Sequence, residues 1–262
     1  MGEQGRRSSA QAALDRRFAE DLVWARWAVA RWDAFPAERL PRPLVLVGQR
    51  AFVEQGFATG EAKLAYLEGR VESAVPLRAA VLAAFIQELG TGRSARAGPP
   101  LVITDAVRGE TEFVTDRGRR RLPAWRLTAI DALGPIWVLD RELAPGEWQP
   151  ADPPAIPRPA LQAPRFDPGT HVVVGPSDAT LTLHFTGALP EFERYPEAEI
   201  IESPKAVAIV PKAEDIGPPG ARILPGYGHQ VTVQLASPIG PRVFVDLHGH
   251  ARQVLQASSD PR

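Results

Sequence analysis

The sequence predicts an α+β protein in which an N-terminal helix and a mixed α/β-hairpin domain precede an all-β, sandwich-like domain. Three observations carry this. A long amphipathic stretch opens the chain, a proline-dense segment divides it, and short alternating apolar runs separated by turn residues fill its last third. The expected organisation is an N-terminal α+β domain over 1–144, a Pro-rich linker over 145–169 and a sandwich-like domain over 170–262.

The leading helix is expected from Ser9 to about Phe35. Ser8 or Ser9 can cap it by accepting a free N–H of the first turn. Leu14, Phe18, Leu22, Ala25, Val29 and Trp32 recur at three- and four-residue steps and form one apolar stripe. Pro36 ends it, and Leu44 to Val47 reads as a buried strand stopped by Gly48. Gly60 to Leu67 suits a short helix closed by Gly69, and Leu77 to Leu89 a second one, with Pro76 before it and Gly90 after it. Residues 90–100 read as a loop by composition.

Strand signals then take over. Leu101–Thr104 and Thr111–Thr115 flank Arg108-Gly109, which predicts a hairpin turn there, and Asp116-Arg117-Gly118 predicts another. Ala124–Ile130 and Ile136–Leu139 follow as strands. Eight prolines from Pro145 to Pro168, with no apolar period among them, suggest a semi-rigid polyproline linker. Beyond it, His171–Val174, Ala179–Phe185, Glu199–Glu202, Ala206–Val210, Gln230–Leu235, Val243–Leu247 and Gln253–Leu255 are seven short strands, the count that suggests a sandwich.

Composition narrows the function. The 262 residues carry a net charge of −1, so no excess of positive charge points to nucleic acid. Cysteine is absent, which removes disulfides, thiolate metal sites and cysteine nucleophiles. No apolar run reaches the roughly 18 residues of a membrane span, and no signal peptide is seen, so a cytoplasmic location is expected. Neither a Gly-x-Ser-x-Gly elbow nor His-Glu-x-x-His occurs, and no cofactor is called for.

Two groups stand out as candidate sites. Trp24 and Trp27 fall off the apolar stripe of the helix, on a face shared with Arg16, Glu20 and Arg31. A tryptophan pair in water is costly, so these two suit a docking surface for a protein partner or a second copy, unless the helix is buried on both faces. Asp246, His248 and His250 alternate with Val243, Val245 and Leu247. On a strand they would share one face and offer a carboxylate and two imidazoles to Zn²⁺ or Fe²⁺. Their spread of roughly 13 Å on a straight strand argues instead for an ordinary wet face. The arginines from Arg117 to Arg121 read as a solvated hairpin tip, and Gly90-Thr-Gly-Arg-Ser follows a helix where a phosphate loop would precede one. Tyr195, Tyr227, Glu191 and Glu193 read as loop residues.

The stretch Arg121-Leu-Pro-Ala-Trp-Arg-Leu-Thr-Ala-Ile-Asp-Ala-Leu-Gly-Pro-Ile-Trp-Val-Leu-Asp140 resembles a motif of an uncharacterised family of high-GC actinomycete proteins. The pattern from Tyr195 through Ile201-Glu202-Ser203 and Ala206, with Pro238-Ile-Gly-Pro-Arg-Val-Phe-Val-Asp246, is similar to their C-terminal region. The resemblance spans the second half of the chain and implies a bacterial protein, with no activity and no site residues to carry over. Trp125 and Trp137 within it read as core aromatics of a hairpin. The expected role is a non-catalytic binding or interaction protein. Alternatives are a metal-assisted hydrolase using Asp246, His248 and His250, and a homo-oligomeric component assembled through the leading helix.

Overall fold

The computed structural model describes residues 3–76, 85, 98–144, 146–150, 169–217 and 226–257, with backbone alone for 3–8. The chain is mostly β, with two sheets and an N-terminal helix, and it divides into two compact units. The first comprises Met1–Val47, Asp116–Gly118 and Trp148–Arg262; the second comprises Gly48–Thr115 and Arg119–Glu147. The leading helix therefore belongs with the C-terminal strands, where the sequence suggested it would join residues 48–144. Most of the expected linker at 145–169, most of the helix expected at Leu77–Leu89 and the Gly90–Ser94 loop lie outside the described residues; Phe85 is helical and buried.

In the first unit, α1 runs Glu3–Ala30. Its C-terminal end passes into turns, Phe35 N–H bonding Trp32 O at 2.8 Å, before Pro36, which has no N–H to continue the ladder. Six of the strands are β6 (His171–Val174), β7 (Thr180–Gly187), β8 (Glu193–Glu202), β9 (Ala206–Asp215), β10 (Tyr227–Gln234) and β11 (Val243–Val245). With β12 (Ala251–Gln256) they form one sheet of order β10-β7-β6-β12-β11-β9-β8. Pairing is parallel at β6–β12 and β9–β11 and antiparallel elsewhere. The edge strands β8 and β10 approach each other. Side chains from all seven strands, among them Val172, Leu183, Ile200, Ile209, Val231, Phe244 and Val254, accordingly share one core.

The expected stripe of α1 decides what covers the outside of β9 and β11. Ala25, Val29 and Trp32 are buried, and Phe18 and Leu22 pack against the same cluster. They meet Ala206, Ala208, Val210, Val243 and Val245, while Val207, Ile209 and Phe244 point to the inner core. Both faces of these strands are thus covered, which explains the unbroken apolar run Ala206–Val210. Each large side chain so buried contributes roughly 1.5–3 kcal/mol. The segment expected as a strand at Leu44–Val47 is extended, with isolated bridges at Leu44 and Leu46.

The second unit holds a five-stranded sheet, β1 (Ala51–Val53), β5 (Ile136–Leu139), β4 (Gly118–Ala129), β3 (Leu101–Thr115) and β2 (Val71–Ser73), in that order. The short helix α2 spans Gly60–Leu67, as the sequence suggested. Thr59 caps it, its Oγ1 accepting the Ala62 N–H at 3.1 Å, and Gly69 follows at φ +67°, a conformation that favours glycine. Ala62, Ala65 and Tyr66 of α2 pack with Phe85 on Leu101, Ile103, Leu127, Ile136 and Val138. No hairpin turn forms at Arg108-Gly109; β3 runs straight through it and turns at Asp116-Arg117. Gly109 lies instead against a ring. A Cβ there would lie 3.3 Å from the Trp137 ring, which covers the strand at that point.

Candidate functional site

A cavity of about 400 Å³ lies in the first unit between α1 and the ends of β7, β8, β9 and β11. Leu14 and Phe18 of α1 and Leu183, Phe185, Ile209 and Phe244 of the strands supply apolar wall. Leu183, Ile209 and Phe244 also belong to the inner core, so the cavity extends that core towards one end of the sheet. The volume falls in the range of small-molecule sites, and the mouths of β-barrels are recurrent places for them.

Polar groups reach this wall in three places. On α1, Arg17 Nε pairs with Asp21 at 3.1 Å, one helical turn on. Just after β11, Asp246 borders the cavity, and its charge is met by Arg252. On β8, the Tyr195 hydroxyl donates to Glu193 Oε2 at 2.8 Å; residues two apart on a strand share a face, which aligns the pair. Ala188 N–H approaches the same hydroxyl oxygen at 3.4 Å. Phe185 meets Tyr195 edge to face with centroids 4.9 Å apart, and His229 lies 4.7 Å from Tyr195. His229 Nε2 sits 2.5 Å from Ala188 O, so that nitrogen carries the proton. A Cβ on Gly187 would stand 2.5 Å from Tyr195 Oη and 2.8 Å from the His229 ring, so the tyrosine hydroxyl needs a glycine beside it.

The residues singled out in the sequence stand elsewhere or are already engaged. Trp24 is 6% exposed, and Trp27 packs edge to face against it and onto the helix–sheet cluster. Trp24 is therefore interior, and the open tryptophan pair expected as a docking surface does not form. Asp246, His248 and His250 are not on a straight strand. They form a tight turn between β11 and β12, with Asp246 N–H bonding His250 O at 3.0 Å and Gly249 at φ +75°. Asp246 Oδ1 accepts the backbone N–H of both His248 and His250 at 2.9 Å. Its Oδ2 takes Arg252 Nε at 2.9 Å and Nη2 at 2.6 Å. Burial pushes this carboxyl up, but the His250 hydrogen bond and Arg252 outweigh it and hold it below the ordinary aspartate value. A metal would have to displace that guanidinium. Among the described residues, no group of three or more His, Asp or Glu is placed to hold one.

The arginine run divides in the same manner. Arg119 and Arg121 pair with Glu112 and Glu110 across the hairpin, at 3.7 and 3.3 Å, on solvated side chains. Arg117 instead donates to Gly240 O at 2.7 Å and Arg242 O at 2.5 Å. Trp125 packs against the second unit's core, and Trp137 donates to Glu54 Oε2 at 3.2 Å. Tyr195 and Glu193, which the neighbouring prolines and glycines made look like loop residues, are strand residues on the cavity wall. Alternation over Thr180–Phe185 put Phe185 on the same side as Leu183, but no spacing rule joins β7, β8 and residues 14–21 across a long stretch of chain. Among the described residues, no helix is long and apolar enough to cross a membrane. No family model, curated protein or solved structure matches the chain.

Proposed function

We propose that the chain is a non-catalytic binding protein whose small-molecule ligand occupies the cavity between α1 and the seven-stranded sheet. One observation carries the reading: apolar wall from a helix and several strands encloses about 400 Å³, with polar side chains set at its margin. The nucleophile–base pairings that acyl or phosphoryl transfer needs do not occur on this wall among the described residues, and the Asp246 carboxylate is spent on Arg252 and two backbone N–H groups. That arrangement favours binding over the metal-assisted hydrolase.

Ligand screening by NMR on the full chain tests the proposal. Small aromatic and branched aliphatic fragments at about 1 mM are expected to move the resonances of Leu14, Leu183, Phe185 and Ile209. Ala13→Trp, which puts an indole at the cavity rim, is expected to abolish those shifts while the rest of the spectrum persists. Fragments that move no cavity resonance, or that move them equally in the Ala13→Trp protein, would overturn it.

A further inference from the structure

We infer that the ligand of this cavity is an organic cation with an apolar body, an amine or quaternary ammonium, with Glu193 as its counter-ion beside the rings of Tyr195 and Phe185. The inference rests on the binding reading above and adds the charge of the ligand.

Charge accounting around the wall leads to it. Among the described residues, four ionisable side chains of formal charge border the cavity: Arg17, Asp21, Glu193 and Asp246. Arg17 and Asp21 neutralise each other at 3.1 Å, and Asp246 is neutralised by Arg252 at 2.6 Å. Glu193 remains. Its side-chain partner is the neutral Tyr195 hydroxyl at 2.8 Å, and among the described residues no cationic side chain comes within 4.0 Å of it. Its sequence neighbour Arg194 pairs with Glu214 at 2.6 Å. Among the described residues, the cavity therefore carries one negative charge without a counter-charge.

Physical chemistry then selects among ligands. An apolar body that fills the cavity expels the water solvating Glu193, and a carboxylate losing water needs an opposite charge. A neutral ligand leaves that cost uncompensated, and an anion increases it. A cation removes it and gains further from aromatic rings, whose faces attract positive charge. Phe185 and Tyr195 supply two such rings on the same wall. The Tyr195 hydroxyl holds one carboxylate oxygen, Oε2, and leaves Oε1 to receive an ammonium group. The apolar wall from Leu14, Phe18, Leu183 and Ile209 excludes a small hydrated ion as the preferred occupant and calls for hydrocarbon attached to the charge.

The test compares two isosteric probes by calorimetry on the full chain: phenethyltrimethylammonium, and the neutral hydrocarbon in which carbon replaces its nitrogen. The cation is expected to bind about tenfold more tightly. Glu193→Gln keeps an acceptor for the Tyr195 hydroxyl and removes the charge. It is expected to erase the preference, weakening the cation and lifting the desolvation cost that the neutral probe meets at the carboxylate. Circular dichroism confirms that the variant is folded, and Glu193→Ala reads the same loss if the glutamine protein is not. Equal binding of both probes to the wild-type protein, abolished by Ala13→Trp, would sink the cation inference and leave the cavity as a binding site. A preference that survives both Glu193 variants would also sink it. Absence of binding by either probe up to about 10 mM would overturn both readings.

Discussion

Trp32, in the turn just past α1, donates its indole N–H to the carbonyl oxygen of Gly249 at 3.0 Å, and the residue is 1% exposed. One residue earlier, Arg31 Nη1 donates to His248 O at 3.0 Å. The helix is thus fastened to the β11–β12 turn by two polar bonds placed beside the apolar stripe. The stripe supplies the attraction, and these bonds set where along the sheet the helix stops. Trp32→Phe should cost about 1–3 kcal/mol, because Gly249 O would remain buried without its donor. Trp32→Ala should cost about 3–5 kcal/mol, the ordinary penalty for emptying an aromatic site. Urea unfolding of the three proteins measures both. Equal costs for the two variants would show that the hydrogen bond contributes nothing.

How far the sequence led can be read from particular residues. The stripe of α1 and the bounds of α2 were legible, because an apolar face and a closing glycine at 69 are local signals. The partner of α1 was not. An apolar stripe states that something must cover it, and Ala206, Ala208 and Val210 lie far along the chain. At Arg108-Gly109 a turn pair occurs inside a strand, with the glycine beside the Trp137 ring and no backbone reversal. Tyr195 stands next to Pro196, which suggested a loop. The pairing of β8 with β9 is irregular between Arg194 and Glu197, and such a bulge admits a proline in a strand. Asp246, His248 and His250 had the composition of a metal site and the geometry of a turn, and alternation alone could not separate the two. The cavity was the least legible feature, because its wall joins residue 14 to residue 247.

Asp246 gives a prediction in pH and in metal. Its carboxyl is held below the ordinary value of 3.8, so its contribution is fully present above that pH and is lost as pH falls through the lower folded value. In Asp246→Asn the acid limb of the stability curve should flatten. At neutral pH the protein should lose about 3–5 kcal/mol, since the buried Arg252 would lose the carboxylate that takes its Nε and Nη2. EDTA and added Zn²⁺ should leave the wild-type melting temperature unchanged. A rise in melting temperature with stoichiometric zinc, lost in Asp246→Asn, would restore the metal reading.

His171 and His184 face each other across β6 and β7, with rings stacked at 4.8 Å and 1° between their planes. Burial, and then the neighbouring imidazole, lowers the pKa of His184 below 6.5. The unfolded chain therefore takes up a proton at this site before the folded chain does. The site's stability contribution is complete above pH 6.5 and falls as pH drops from there through the folded value. Gln230 and Gln253 flank the pair in register and are neutral, which leaves His171 as the facing charge. His171→Gln should raise the His184 pKa in an NMR titration. An unchanged His184 titration would rule out coupling between the two rings.

Tyr66 gives the opposite end of the pH scale. It is 7% exposed, its hydroxyl donates to Ala51 O at 3.3 Å, and burial pushes its pKa up to about 12. The chain has three tyrosines, so an absorbance titration should show one ionising late. In the unfolded chain the same group ionises near 10, so between about 10 and about 12 the folded state holds a proton that the unfolded state has lost. Stability should fall across that window, and Tyr66→Phe should remove that part of the fall. At neutral pH the same substitution should cost about 0.5–1.5 kcal/mol for the lost hydrogen bond. A Tyr66→Phe protein whose alkaline limb matches the wild type would place the alkaline loss at other groups.

Gly187 tests the cavity wall independently of any ligand. In Gly187→Ala the new methyl would stand 2.5 Å from Tyr195 Oη and 2.8 Å from the His229 ring, closer than atoms pack. Either the tyrosine or the strand end must move. Overpacking of this kind costs about 1–3 kcal/mol. Because the Tyr195 hydroxyl anchors Glu193 Oε2, its displacement should carry the carboxylate with it. The preference for phenethyltrimethylammonium over its neutral isostere should then weaken, while the neutral probe keeps its affinity for the apolar wall. Tyr195→Phe separates the two effects: it relieves the clash at the hydroxyl and removes the anchor. The double variant should therefore regain stability relative to Gly187→Ala without regaining the preference. Recovery of both together would mean that the tyrosine fills space at this wall and does not position Glu193.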